Sequence, residues 1–317
     1  MIAAYQAAAF IADALDSALA QTTPAHEVVV CDDGSTDDLD AALAPYLDRI
    51  VLVRQENQGE GAAKSAGARE ATGDFVVFLD ADDAYLPERL AQIGAAAAAR
   101  PDLDVFASDA YVEVDGRSLR TAYDDSWTFE VEDQRRGILE RCFVLGHAAI
   151  RRERFLEVGG FDPAMRTVAD WDLWMRVILG GSRAGLLTEP LARYRVRQGS
   201  LSTDRSAIIR GGIRCLEHAA ARDDLSPQER GTLERTLAEH RRDLALVEAR
   251  KALREGGPDV RRRLAGIALG RGYDSRTRLK SLASAVAPGR AGAALLARED
   301  GSFVGAAGVR VDRPDAD

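Results

Sequence analysis

The chain has 317 residues, is 46% apolar and carries a net charge of −9. That length suits one large α/β domain plus an appendage, and the acidic balance argues against a general nucleic-acid binder. Three distant cysteines, Cys31, Cys142 and Cys215, form neither a metal-ligand nor a disulfide pattern, and no apolar run approaches the roughly 20 residues of a spanning helix.

Met1-Ile2 is only a stub where a first strand is expected, and Ala-rich sequence of helical spacing follows, with Phe10, Ile11, Leu15, Ala18 and Leu19 on one face. No signal-peptide pattern opens the chain, so a reducing, cytoplasmic setting is expected. Pro24 precedes an apolar run, Glu27–Cys31, that stops at Asp32-Asp33-Gly34-Ser35-Thr36-Asp37. Leu39–Leu47 reads as a helix and Ile50–Val53 as a short strand. The small residues of Asn57–Gly67 permit close approach of a helix start to backbone or ligand. A second apolar run, Phe75–Leu79, stops at Asp80-Ala81-Asp82-Asp83, and Pro87 opens a helix running to Arg100. This alternation predicts a doubly wound, mostly parallel α/β sheet. Ligands of such sheets bind beyond the carboxyl ends of the strands. Carboxylates placed there suit a divalent metal and nucleotide hydroxyls or ring donors, although loop aspartates also simply cap helices and solvate turns.

From about Val105 the pattern is irregular, with a strand at Phe106–Val114, a helix at Ile138–Phe143 and a turn at Gly159–Pro163. Asp170–Leu179 has helical spacing, and Leu186–Arg195 reads as a strand interrupted by Pro190. Ile208–Ala221 and Pro227–Arg254 are strong helical segments. Val260–Arg298 is basic and reads as one or two amphipathic helices, either a solvated face or a peripheral contact with an anionic membrane surface (260–298). Val311–Asp317 reads as a disordered tail.

Taken in order, the segments Asp32–Asp37 (DDGSTD), Asn57-x-Gly59 with Gly61-Ala62-Ala63, Leu79–Asp83 (LDADD), Gly159–Asp162 (GGFD) and Asp170–Trp174 (DWDLW) resemble the family 2 glycosyltransferases. The resemblance covers about the first two hundred residues and implies a GT-A, Rossmann-like fold. The expected organisation is a GT-A domain over 1–204, with a nucleotide-sugar half (1–104) and an acceptor half (105–204). A helical C-terminal region (205–317) follows.

The resemblance also implies an inverting, metal-dependent transfer of sugar from a nucleotide-diphosphate donor to an acceptor hydroxyl. That acceptor would be a carbohydrate such as a cell-envelope polysaccharide, a lipid-linked oligosaccharide, a protein or a small metabolite. Sugar transfer leaves a charged diphosphate, which Mn²⁺ or Mg²⁺ offsets as a Lewis acid. By resemblance Asp82 is the metal contact, and Asp80 holds the ribose or assists the metal. Asp33 would accept a hydrogen bond from the imide N–H of uracil; thymine offers the same donor and cytosine does not, which implies a UDP-type donor. Tyr5 and Lys64 complete the nucleotide site, Lys64 standing where the family usually has arginine and Ser65 where it has asparagine. Asp170 takes the place of the catalytic base, against the alternative that it caps its helix. Ala169 replaces the family's usual glutamate beside it. Trp171 stacks on a sugar or belongs to the core. Asp172 supports Asp170 or pairs with Arg176 at i+4. His147 lies toward the acceptor side or is structural. Arg197 occupies the place of a family histidine near the metal and would contact diphosphate instead. Two rivals stand beside this reading, an inactive nucleotide-sugar-binding relative and a membrane-recruited scaffold. A sugar nucleotidyltransferase would need a Gly-rich phosphate loop where this chain has Ala7-Ala8-Ala9.

Overall fold

Residues 1–114, 116–125, 127–196, 204–255 and 259–286, with the backbone of 302–304 and 310–312, are described in a computed structural model. The chain divides into two units, Met1–Ser200 and Leu201–Asp317. In the first, the elements run β1 (Ile2–Ala4), α1 (Ile11–Leu19), β2 (Val29–Asp32), α2 (Leu39–Leu43), β3 (Val51–Arg54), α3 (Glu60–Glu70), β4 (Phe75–Val77), β5 (Leu79–Asp80), β6 (Ala84–Tyr85) and α4 (Arg89–Ala99). There follow β7 (Val105–Val114), β8 (Arg117–Thr121), α5 (Gln134–Glu140), β9 (Ala149–Arg151), α6 (Arg152–Glu157), α7 (Ala169–Leu179) and β10 (Ala184–Val196).

A four-stranded parallel sheet has the order β3-β2-β1-β5. Every residue of β2 is buried, as an inner strand covered on both faces requires. The stub at Met1-Ile2 opens a short inner strand, Ile2–Ala4. Ile2 lies opposite Val30 on one side and Leu79 on the other. Leu79 N donates to Met1 O at 3.0 Å, and Asp33 N to Ala4 O at 2.8 Å. Pairing along both edges compensates for its length. The helix expected over Leu39–Leu47 is shorter: α2 passes at Ala44 into a single 3₁₀ turn, Ala44–Tyr46, with Pro45 in its first positions.

The apolar run Phe75–Leu79, expected as one strand, is divided between two sheets. β4 pairs antiparallel with β9, whereas β5 pairs parallel with β1. The change falls at Phe78, whose fully buried ring packs 5.4 Å from Phe155 and 5.2 Å from Phe161. The second sheet has the order β4-β9-β7-β10-β6, with β8 on β7. It is mixed: β7 and β10 are parallel, and the other pairs are antiparallel. The β7–β10 register shifts on both sides of Pro190, because proline cannot donate to the ladder.

The second unit holds α8 (Arg205–Ala220), α9 (Pro227–Glu255), α10 (Val260–Leu269) and α11 (Ser275–Val286). Reciprocal bonds start α9: Ser226 N donates to Glu229 Oε2 at 2.7 Å and Glu229 N to Ser226 Oγ at 3.2 Å, a capping box followed by proline at the first helical position. Ala249, Leu253, Val260, Leu264 and Ile267 form the core between α9 and α10. Ser302–Val304 (β11) and Arg310–Asp312 (β12) pair as an antiparallel ribbon. Val311 and Asp312 therefore belong to a strand rather than to the expected tail, and 313–317 lie outside the described residues, as do 287–298 of the basic segment. Among the described residues no helix is long and apolar enough to cross a membrane.

Candidate active site

The loops after β1 and β2 are stitched together by Gln6, with Ala8 N donating to Asp37 Oδ2 at 2.8 Å and Gln6 N to Ser35 Oγ at 3.1 Å. Gln6, held at φ +52°, donates from Nε2 to Thr36 Oγ1 at 2.9 Å and accepts at Oε1 from Thr36 N at 2.9 Å and Asp37 N at 3.0 Å. Ser35 N donates to Asp32 Oδ1 at 2.8 Å, closing the turn. Asp33 is buried and accepts from Gln55 Nε2 at 2.7 Å, Gln58 N at 2.9 Å and Gly59 N at 2.8 Å. Its carboxylate therefore anchors the 55–59 loop. Of its roughly four acceptor positions, these bonds occupy three. Tyr5, beside Gln6, is 53% exposed. Gln6 was missed in the sequence, although a polar residue directly after Tyr5 was the available signal.

The second cluster sits on the turn between β5 and β6. Asp83 N donates to Asp80 O at 3.0 Å, closing it. Lys64 is buried at the middle of α3 and donates to Asp80 Oδ1 at 2.6 Å and to Glu60 Oε1. Burial opposes both charges, but each holds the other ionised: Lys64 is raised above its usual range and Asp80 lowered below its own. Lys64 is thus an internal counter-ion, not a cation free at the surface. Asp83 is buried and pushed well above the carboxylate range, first by burial and then by Asp80 and Asp82. Arg195, at the end of β10, clamps the turn: its N donates to Asp83 Oδ1 at 2.8 Å and its Nη1 to Asp82 O at 3.4 Å. Arg197, expected here, lies outside the described residues.

Asp170 enters from α7. The helix begins at Ala169 with Val168 as its N-cap, in the left-handed region at φ +50°, a costly conformation for a β-branched residue. Asp170 therefore sits one residue inside the helix and is not its cap. Its Oδ1 accepts from Trp171 N at 2.9 Å. The starts of α3 and α7 converge because Gly61 has no side chain: a Cβ there would lie 3.0 Å from Phe161 Cβ and 3.7 Å from Ala169 Cβ. This approach brings Lys64, Glu60 and Asp80 into electrostatic range of Asp170. Burial raises its pKa to about 6 against the opposing Trp171 N–H and Lys64.

The Gly159-Gly160 turn locks that convergence. Phe161 N donates to Ser65 Oγ at 2.9 Å, and Arg176, paired with buried Asp172 at 2.7 Å, donates to Val158 O at 2.7 Å and Gly160 O at 2.8 Å. Gly160 has φ +72°, and a Cβ would meet Ser65 Oγ at 2.8 Å. Gly160→Ala is expected to cost about 2 kcal/mol and Ser65→Ala about 1 kcal/mol, both read from urea unfolding midpoints.

Three residues read as either possible contacts or structural groups take the structural alternative. Trp171 is buried and its Nε1 donates to Ile138 O at 2.8 Å, so its ring belongs to the core and offers no face to a sugar. Asp172 is buried and pairs with Arg176. His147 is buried with Nε2 3.3 Å from Ser108 O; burial, then neighbouring Arg89, lowers its pKa to about 3, leaving a neutral ring. Arg166 was missed. It is exposed, with Nη1 3.1 Å from the position of a Gly59 Cβ, and it has no ion pair among the described residues. A lone arginine in a turn gives no pattern by which to find it.

The glycosyl transferase family 2 model matches residues 1–159. Over 222 residues the chain is 36% identical to the succinoglycan biosynthesis protein ExoO of Rhizobium meliloti, covering 64% of this chain and 61% of that protein. It is 26% identical over 208 residues to an uncharacterized glycosyltransferase of Haemophilus influenzae, covering 64% and 70%, whereas a match to one of Rickettsia felis spans only 31% of that protein. Two solved structures share the fold. S. aureus TarS 1-349 in complex with UDP has a TM-score of 0.61 at 18% identity, covering 94% of this chain and 89% of that one. The mannosyltransferase PcManGT of Pyrobaculum calidifontis, in complex with GDP-Man and Mn²⁺, has a TM-score of 0.58 at 21% identity, covering 93% and 82%. The family model spans half of the 317 residues, and the chain belongs to glycosyl transferase family 2: it is a glycosyltransferase.

Proposed function

We propose that the chain transfers a sugar from a UDP-type donor to an acceptor hydroxyl with inversion at the anomeric carbon, and that Asp170 is the base. The observation that carries this reading is the position of Asp170, a part-buried carboxyl raised to about pH 6 and within electrostatic range of the Lys64–Asp80 pair. A base with a pKa near the working pH is both ionised and able to hold a proton. Asp170 accepts the acceptor's proton as the new C–O bond forms and the bond to the diphosphate breaks. One carboxylate suffices as base for a single displacement with inversion.

The turn at Asp80–Asp83 fits a hard divalent cation, because three crowded carboxylates supply oxygen donors alone. Asp82 and Asp80 would hold it, and it would supply charge to the leaving diphosphate. Asp33 and the loop it anchors receive the base, Tyr5 lies at that edge, and exposed Arg166 replaces Lys64 as the cation nearest the phosphates. Names such as succinoglycan biosynthesis and O-antigen biosynthesis among the relatives support a polysaccharide acceptor.

The test is a thermal-shift screen with UDP-, dTDP- and GDP-sugars, with and without Mn²⁺. Donor at 100 times its Kd stabilises by about 2.7 kcal/mol, raising Tm by roughly 5–10 °C. The UDP-sugar shift is expected to need Mn²⁺ and to vanish in Asp82→Ala. No shift with any donor in the presence of metal contradicts the reading.

A further inference from the structure

Helix α11 is amphipathic in the wrong direction for a helix that serves only its own core. Its inward residues are hydroxylic: Thr277, Ser281 and Ser284 are buried, and Ser281 Oγ has no hydrogen-bond partner among the described residues. Its large apolar residues face outward, with Leu279 69%, Leu282 50% and Val286 75% exposed. At 100° per residue these three lie within one narrow stripe. Arg276 falls on one side of the stripe and Arg278 on the other, where Arg278 Nε also donates to Ala268 O at 3.0 Å. Leu269, at the end of α10, adds a fourth exposed apolar side chain at 78%.

Burying hydroxyls while exposing leucines stabilises neither the unit nor its solubility, so the outward face is explained by something that covers it. Charge identifies the occupant. Residues 259–286 carry seven Lys or Arg against two Asp, in a chain whose net charge is −9. A second copy of this chain meeting the stripe across a two-fold axis would bring like charges together. A bilayer with anionic headgroups satisfies both features at once, taking the apolar stripe at the acyl boundary and the flanking cations at the phosphates. We propose that α11 docks the chain on an anionic lipid surface through Leu279, Leu282 and Val286, bordered by Arg276 and Arg278. The sequence leaves the segment 260–298 open between a solvated face and a membrane contact; the outward leucines of α11 favour the second, and 287–298 lie outside the described residues. The inference is independent of the donor and of Asp170.

The experiment is co-sedimentation of the full chain with vesicles of phosphatidylcholine alone or with phosphatidylglycerol, at low and high salt. The chain is expected to partition onto anionic vesicles at least about tenfold more strongly than onto neutral ones, and to be released by salt. Leu279→Ser/Leu282→Ser/Val286→Ser is expected to lower binding at least about tenfold with unchanged helical content and Tm, since the replaced side chains are exposed. Arg276→Gln is expected to weaken anionic binding about fivefold. Equal binding to both vesicle types, no binding to either, wild-type binding by the serine variant, or a concentration-dependent dimer that the serine variant dissolves would each overturn the proposal.

Discussion

Asp170→Asn is expected to lower sugar transfer by about 10²–10⁴-fold while leaving donor binding intact and raising Tm by a few degrees. The two effects have one cause. Burial disfavours the Asp170 carboxylate and raises its pKa to about 6, so the folded state prefers the protonated form. The cost of ionising it sets in above the unfolded value, near pH 3.8, and is complete above about pH 6. At neutral pH the wild type therefore bears a penalty of about 3 kcal/mol, which a neutral amide removes. Asparagine still accepts from Trp171 N, so the start of α7 is kept. Nucleotide release at pH 7.5 and Tm at pH 7.5, pH 5 and pH 3.5 check this: the stability gain should be full at pH 7.5, about half at pH 5 and nearly gone at pH 3.5. Loss of activity accompanied by a lowered Tm would instead assign Asp170 a structural role.

Lys64→Met is expected to destabilise the first unit by removing the counter-charge of two carboxylates. Lys64 is buried between Asp80 and Glu60, and its side chain retains 6% exposure against 34% and 51% for its partners. Removing it leaves two carboxylates with no counter-charge, one of them at the floor of the proposed metal site. Breaking a fully buried pair costs about 3–5 kcal/mol; water reaches both carboxylates here, so about 2 kcal/mol is expected after screening. In the wild type, Lys64 holds Asp80 below its usual range against burial. The stability from that pair is thus present above the unfolded carboxylate pKa and lost as pH falls through the lowered one. Lys64→Met removes this dependence, so the two proteins should converge in stability toward low pH. Urea unfolding from pH 3 to pH 8 measures it, and a constant difference across that range contradicts the ion-pair account.

The parts of this site that could be read in the sequence are those whose signal is local. Asp32–Asp37 and Asp80–Asp83 each end an apolar run, and both occupy loops after strands of the parallel sheet. What could not be read depends on partners distant in the chain. Lys64 reads as a cation of the nucleotide site because its partner Asp80 is sixteen residues away. Trp171 and Asp172 share a spacing that serves core and cleft equally, and only Ile138 O and Arg176 decide between them. The run Phe75–Leu79 carries no mark of its division, since both sheets take the same apolar residues; the Phe78–Phe155–Phe161 cluster makes the difference. In α11 the apolar spacing was visible, but its outward direction was not.

The central claim is tested most directly by release of nucleoside diphosphate from UDP-sugar with Mn²⁺, followed from pH 5 to pH 8 in the wild type and Asp170→Asn. The account predicts wild-type turnover that rises through an apparent pKa of about 6 and an amide variant with neither the turnover nor the acid limb. Full turnover by Asp170→Asn, or the same acid limb in both proteins, would contradict it.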